Sequence, residues 1–299
     1  GRWSRRRARD HRSFLRVEVR IPWPPRSAAA TDASMKLSSS ARIALQIGSL
    51  LVLVGLYTLL SHVQHLENPS DTTIPNWSQL GEGIVSIFEV NKRSGERWIV
   101  VDGIATAERY FLGMFMSVAL AFLLGVGMGR FEAIEAFFNA PLSLAAKVPP
   151  TAALAVFFVM VGTDLEMYVA MITFGVAPTL AQSIYLNVRE VPDQVLNKAA
   201  TLGASQFEIV WNIIVRQILP QFIDAVRLQI GPAMVYLIAA EMVCAGEGFG
   251  YRIRIQFKKL DMDVVYPYLL MLAIFGFAMD WLLRRIQAKA CPWYVGARK

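Results

Sequence analysis

The 299-residue sequence offers few residues whose type and spacing could do chemistry. His62 and His65 stand three apart, a spacing that puts two imidazoles on one helix face, but no third metal ligand lies nearby and an interfacial pair is the better reading. Cys244 and Cys291 are the only cysteines, and the topology below puts them on opposite sides of the membrane, so no disulfide framework is expected. Gly125, Gly127 and Gly129 look superficially like a phosphate loop, yet they lie inside an apolar run with no preceding strand and no following Lys-Ser/Thr. No Ser-His pair, Cys/His cluster or paired carboxylates can be placed, so no catalytic group and no metal site is expected in this chain. One carboxylate does need a reason. Glu241 lies near the end of an apolar segment, where burying a charge is disfavoured by up to about 3 kcal/mol, and a translocation path, a gate contact or proximity to the interface would each account for it.

The elements around these residues are built for lipid. Hydrophobic residues make up 55% of the chain, charged ones only 18%, and the mean hydropathy is +0.42. The net charge of +7 is not a nucleic-acid signal, because nine of the 30 Lys and Arg precede residue 35. Residues 1–34 read as a non-native or disordered basic extension before Met35. Apolar segments follow at 43–60, 110–128, 142–161, 167–186, 222–243 and 265–283, six spans in all, with residues 61–97 an extramembrane connection holding one short helix near "WSQLGEGIVSIF". Pro149 and Pro150 must kink or restart the third span, since proline supplies no N–H and its ring clashes with the preceding turn. Gly125 and Gly129 form a small-xxx-small pair that lets two helices approach closely. Twelve Lys and Arg flank the spans on the side of the termini against eight on the other, which favours cytoplasmic termini. Arg227 is read as snorkelling, and Asp280 with Arg284 as an i, i+4 pair.

On that orientation "NKAATLGASQFEIVWNIIVRQILPQ" (197–221) is cytoplasmic, and it carries its own punctuation. Pro192 and Asp193 suit a helix start, and Gly203 suits the left-handed residue that ends that helix. Ser205 and Glu208 fit a capping box that opens a second helix, with Phe207, Val210, Trp211 and Ile214 on one face. The aromatic knob at the elbow suits a headgroup anchor and a docking helix for a cytoplasmic partner equally well.

The segment resembles the loop, E-A-A-x-x-x-G, of ABC-importer permeases of the nitrate/sulfonate/taurine type, through Ala199, Thr201, Leu202, Gly203, Ala204 and Ser205. The resemblance runs on through "LPQFIDAVRLQIGPAMVYLIAAEMVCAGEGFGYRI" and back through "AKVPPTAALAVFFVMVG", covering residues 98–293. Asn197, Lys198 and Arg216 depart from the family's Glu, Ala and Pro. The resemblance implies an all-α, six-span, type I permease core (98–293) behind a first span and periplasmic connection (35–97), with a coupling loop at 190–221 and a tail at 294–299. It also implies work in the bacterial inner membrane on a small solute, as a homodimer, with separate ATPase subunits that hold MgATP and a periplasmic or lipid-anchored solute-binding protein. Asn197, Ala199, Gly203, Ala204, Ser205, Phe207, Glu208, Trp211 and Pro220 would form the ATPase-coupling loop, and Glu241, Pro149 and Pro150 would belong to the path or gate. A self-contained channel, with that loop as a mere surface anchor, is the competing class.

Overall fold

The computed structural model describes residues 38–69, 71–90 and 95–297; the basic extension at 1–34 and the last tail residues lie outside them. Two compact units divide the chain, residues 1–56 and 57–299. The first contributes most of helix α1 (Ser39–Glu67), whose apolar side chains are exposed almost throughout, as a lipid-facing span requires. In the second unit come α2 (Trp77–Phe88), α3 (Trp98–Arg130), α4 (Glu132–Ala145), α5 (Leu154–Val161), α6 (Leu165–Arg189) and α7 (Asp193–Thr201). A single turn α8 (Gln206–Glu208), a π-helical turn at Ile209–Ile214, α9 (Val215–Leu228), α10 (Ile230–Cys244), α11 (Phe249–Lys259), α12 (Met262–Ala290) and α13 (Pro292–Ala297) complete it. No strand occurs among the described residues beyond one isolated bridge between Val90 and Arg97.

Five helical stretches are long and apolar enough to cross a bilayer: 43–67, 98–130, 165–189, 206–244 and 262–290. The third span restarts at its prolines, as expected from the sequence. It divides into α4 and α5, because the turn at 146–153 holds Pro149 and Pro150; their carbonyls accept from Ala152 (3.0 Å) and Ala153 (3.3 and 3.1 Å), while neither ring nitrogen can donate.

The core forms around α3 and α6. At Gly125 an added Cβ would lie 2.6 Å from Ile184 Cβ and 2.8 Å from the Ala181 carbonyl, and at Gly129 2.5 Å from Val188. Gly113, twelve residues before Gly125, meets Ile172 in the same way. The expected small-residue seam therefore exists and its partner is α6, with Met171, Ile172, Leu180 and Ile184 fully buried behind it. A second, smaller cluster of Ile87, Ile253, Val264, Val265 and Tyr268 joins α2, α11 and the start of α12. Arg227 does not snorkel. Its guanidinium bridges Asp224 (2.6 Å) and Asp280 (2.8 Å), tying α9 to α12, while Arg284 also reaches Asp280 (2.8 Å) as the i, i+4 spacing predicts. Two carboxylates attract that guanidinium more than an exposed headgroup position would.

Candidate functional sites: an apolar elbow and a buried carboxylate clamp

The 193–221 segment folds as its capping residues direct. Helix α7 ends in a Schellman motif: Gly203 N–H donates to Ala200 O (3.0 Å) and Ala204 N–H to Ala199 O (3.1 Å). Gly203 sits at φ +87°, a conformation that strains any residue with a Cβ. Ser205 then caps α8; its hydroxyl accepts from Glu208 N (3.3 Å) and the Glu208 carboxylate accepts from Ser205 N (2.8 Å), the reciprocal bonds of a capping box. Ala199 and Ala204 rest against the core, whereas Asn197, Lys198 and Arg216 are exposed.

The apolar residues that follow do not share one face. Between Ile209 and Ile214 the backbone widens to i→i+5 bonding, seen where Val215 N–H reaches Val210 O. Such a turn holds about one residue more than an α turn and rotates the following register by roughly 100°. Ile214 is thereby turned inward with Ile209 and Ile218, all three buried, while Phe207 and Trp211 stay outside at 75% and 55% exposure. Leu202, on the other side of the Gly203 elbow, is 81% exposed. The result is an apolar knob of three residues on a segment whose opposite side is locked into the core. Arg130, at the end of α3, donates to the Gln206 side-chain oxygen. Pro220 is buried inside α9, and its carbonyl accepts from Gln287 of α12 (2.9 Å).

At the other end of α3 lies a polar constellation. Glu241 is fully buried and its carboxylate is saturated: Arg109 Nη1 donates at 2.8 Å, the Thr106 hydroxyl at 3.0 and 3.1 Å, and Gly250 N–H at 2.8 Å. Asp102, also fully buried, accepts from Arg252 (2.8 and 3.3 Å), Gly248 N–H (3.0 Å) and the Tyr268 hydroxyl (3.2 Å). Thr106 closes the set by accepting from Phe249 N–H (2.8 Å). Two buried carboxylates, each paired with an arginine, thus gather the backbone of residues 248–250. Gly248 has φ +113° and its missing Cβ would stand 2.6 Å from a Glu241 oxygen, so the loop closes this tightly only with glycine there. Each guanidinium also stacks on an aromatic ring, Arg109 4.4 Å from the Tyr168 centroid and Arg252 4.2 Å from that of Trp98.

Glu241 was the only member of this set that stood out in the sequence. Asp102, Thr106 and Arg109 precede the second apolar run, which starts at residue 110, so hydropathy alone does not mark them. Their i, i+4, i+7 spacing before that run was the available signal, since it places three polar side chains on one helix face. Pro150 lies apart from the clamp, against α6, where an added Gly175 Cβ would meet its ring at 2.9 Å and Tyr236 of α10 at 2.4 Å. Of the sequence's other candidates, His65 is a local anchor, with ring nitrogens 2.8 Å from Ser61 O and 3.1 Å from Gln79 Oε1. Both cysteines are free thiols, and the described residues hold no cluster of three or more His, Cys, Asp or Glu able to take a metal.

A multi-pass helical core joined by a glycine seam, with a broken span and an amphipathic elbow between two spans, is the architecture of a polytopic membrane protein. The chain belongs to the family described as binding-protein-dependent transport system inner membrane component, which matches residues 112–290. It is 26% identical over 190 residues to the taurine transport system permease protein TauC of Escherichia coli, covering 64% of this chain and 69% of TauC. With the formylaminopyrimidine transport permease protein ThiX of Halalkalibacterium halodurans it shares 24% identity over 190 residues, 63% of this chain and 76% of ThiX. An inward-facing structure of the MetNI methionine ABC transporter has the same fold, with a TM-score of 0.53 and 20% identity over 65% of this chain and 94% of that one.

Proposed function

We propose that this chain is the membrane-spanning half of an ATP-driven importer for a small solute, and that the Leu202/Phe207/Trp211 knob is its contact with a separate ATPase subunit that holds MgATP. The observation that carries this reading is the two-sidedness of the 202–218 segment. Its inner side, Ile209, Ile214 and Ile218, moves only with the core, and its outer side offers three large apolar residues around a glycine elbow. A membrane anchor would need no such anchoring of its inner side in the core. The termini and the elbow are assigned to the cytoplasm from the Lys and Arg bias.

The likeness to TauC supports a small sulfonate or similar anion as the solute, delivered by a periplasmic or lipid-anchored binding protein to a pair of permease copies. Among the roles open to Glu241, a gate contact fits its burial: its oxygens are all engaged within the chain, where they hold the 248–250 loop rather than face a solute. Pro149 and Pro150 are assigned to the same moving region, as the break that frees α5 from α4.

The test is co-purification with the ATPase subunit. Phe207→Ala combined with Trp211→Ala removes exposed area only, so the permease should keep its thermal stability while losing the ATPase and solute uptake. Retention of both the ATPase and uptake by that variant overturns the coupling assignment. The ligand found in the partner binding protein settles the solute.

A further inference from the structure

Helix α2 has three faces rather than two. At about 100° per residue, Gly83 and Ile87 point one way, Trp77, Gly81, Ile84 and Phe88 a second way roughly 120° round, and Ser78, Glu82 and Glu89 a third. The first face is buried on α11 and α12: an added Gly83 Cβ would overlap the Asp263 carbonyl, and Ile87 is inaccessible. The second is apolar yet open, with Trp77, Ile84 and Phe88 exposed and Val85, also exposed, at its edge toward Ser78. An extramembrane helix with one buried face needs only one apolar stripe, so the second calls for its own apolar surroundings.

The level at which α2 starts identifies those surroundings. Trp77 Nε1 donates to the Thr58 hydroxyl (3.2 Å), the Tyr57 hydroxyl donates to Pro75 O (2.6 Å) and the Ser61 hydroxyl to the same carbonyl (3.2 Å). Tyr57 and Thr58 lie within the last turn of the charge-free run 43–60, so the start of α2 is fixed where α1 passes from apolar to polar sequence. At that level three aromatic rings from three helices meet: Tyr57 of α1 stands 5.4 Å from Trp77 of α2 and 6.2 Å from Tyr266 of α12. Aromatic residues gather in this way at the membrane–water boundary, with the ring in the apolar layer and the polar atom toward water. The capping box of Asn76 and Gln79, with Gln79 held also to His65, sets the direction in which α2 leaves that level.

We propose that α2 lies along the membrane interface with the Trp77/Ile84/Val85/Phe88 stripe in the acyl-chain boundary, its Glu82/Glu89 edge in water, and its Gly83/Ile87 face on the protein. The occupant of the open stripe is lipid. The inference rests on the chain being a membrane protein and not on the ATPase contact, so either can fail without the other. It changes the reading of residues 77–88 from an extramembrane connection to an interfacial helix of the kind that dips into the bilayer without crossing it.

The test uses nitroxide labels at Ile84→Cys, Phe88→Cys, Glu82→Cys and Glu89→Cys, all exposed positions, in full-length protein with Cys244 and Cys291 replaced by Ala. The protein is reconstituted in phosphatidylethanolamine–phosphatidylglycerol vesicles. Labels at 84 and 88 should collide preferentially with oxygen, and labels at 82 and 89 with a water-soluble nickel chelate. Preference for nickel at 84 and 88 overturns the proposal, and so does shielding from both reagents, which would mean that protein covers the stripe. A second readout needs no label. Brominated acyl chains should quench the Trp77 emission, taken as wild type minus Trp77→Phe, and an unquenched difference also overturns it.

Discussion

Removing Arg109 tests whether the clamp is a structural lock. In Arg109→Met the Glu241 carboxylate, with no exposed surface, keeps the Thr106 hydroxyl and Gly250 N–H but loses the only charged partner it has among the described residues, 2.8 Å away. Breaking a buried pair from one side costs about 3–5 kcal/mol, because the remaining charge is neither solvated nor paired. Replacing both partners, as in Arg109→Met with Glu241→Met, removes the charge altogether and leaves only neutral donors unpaired, at about 1–3 kcal/mol. The double variant should therefore be less damaged than the sum of the singles. The assay is the temperature at which half of the detergent-solubilised protein leaves the monodisperse gel-filtration peak, with a fall on the order of 10 °C for Arg109→Met. Local opening is read separately with Gly246→Cys, a position with open space around it, whose thiol should react faster when Arg109 is absent. A midpoint within about 2 °C of the parent, together with an unchanged thiol rate, would show that the pair holds nothing.

Two further outcomes follow from local geometry. Gly203→Ala has room for its Cβ but must hold φ +87°, so it should lose about 1 kcal/mol, and Gly203→Asn less; Ser205→Ala should lose about 1 kcal/mol through its cap, all read as thermal midpoints. Gly125→Val should abolish monodisperse expression, since its Cβ would stand 2.8 Å from the Ala181 carbonyl, a backbone atom that cannot swing aside, whereas Gly127→Ala, 3.4 Å from flexible Ile134, should express normally.

What the sequence discloses here is what local rules govern. The elbow could be read from Gly203 and the Ser205/Glu208 pair because a cap needs only residues within one turn. The Pro149–Pro150 break was equally legible, since proline acts on its own backbone. The face of the next helix was not. Whether Ile214 joins Phe207 or Ile209 depends on a π turn, and no short-range preference marks that turn in "IVWNII". The clamp was hidden for a different reason. Asp102 and Arg252 are 150 residues apart, and a carboxylate inside an apolar helix announces only that it needs partners, not where they are. The open apolar face of α2 is hard to see in sequence because polar flanks and glycines average the segment to a plain connection; the face stands out only once Gly83 and Ile87 are known to point inward.

The two candidate regions are joined by one element. Helix α3 has 33 residues, about 50 Å of continuous helix, which exceeds the ~30 Å apolar thickness of a bilayer. Its first three turns carry Asp102, Thr106 and Arg109, which hold the 248–250 backbone, and its last residue, Arg130, holds Gln206 at the start of the elbow. Between them Gly113, Gly125 and Gly129 press it against α6 so closely that the two helices have no room to slide independently. If the knob is the ATPase contact proposed above, the Arg130–Gln206 bond offers a route from it to α3, and the α3–α6 pair leads from there to Asp102, Thr106 and Arg109. Asn197, where the resemblance leads one to expect Glu, is exposed on α7 and takes no part in the Arg130–Gln206 bond.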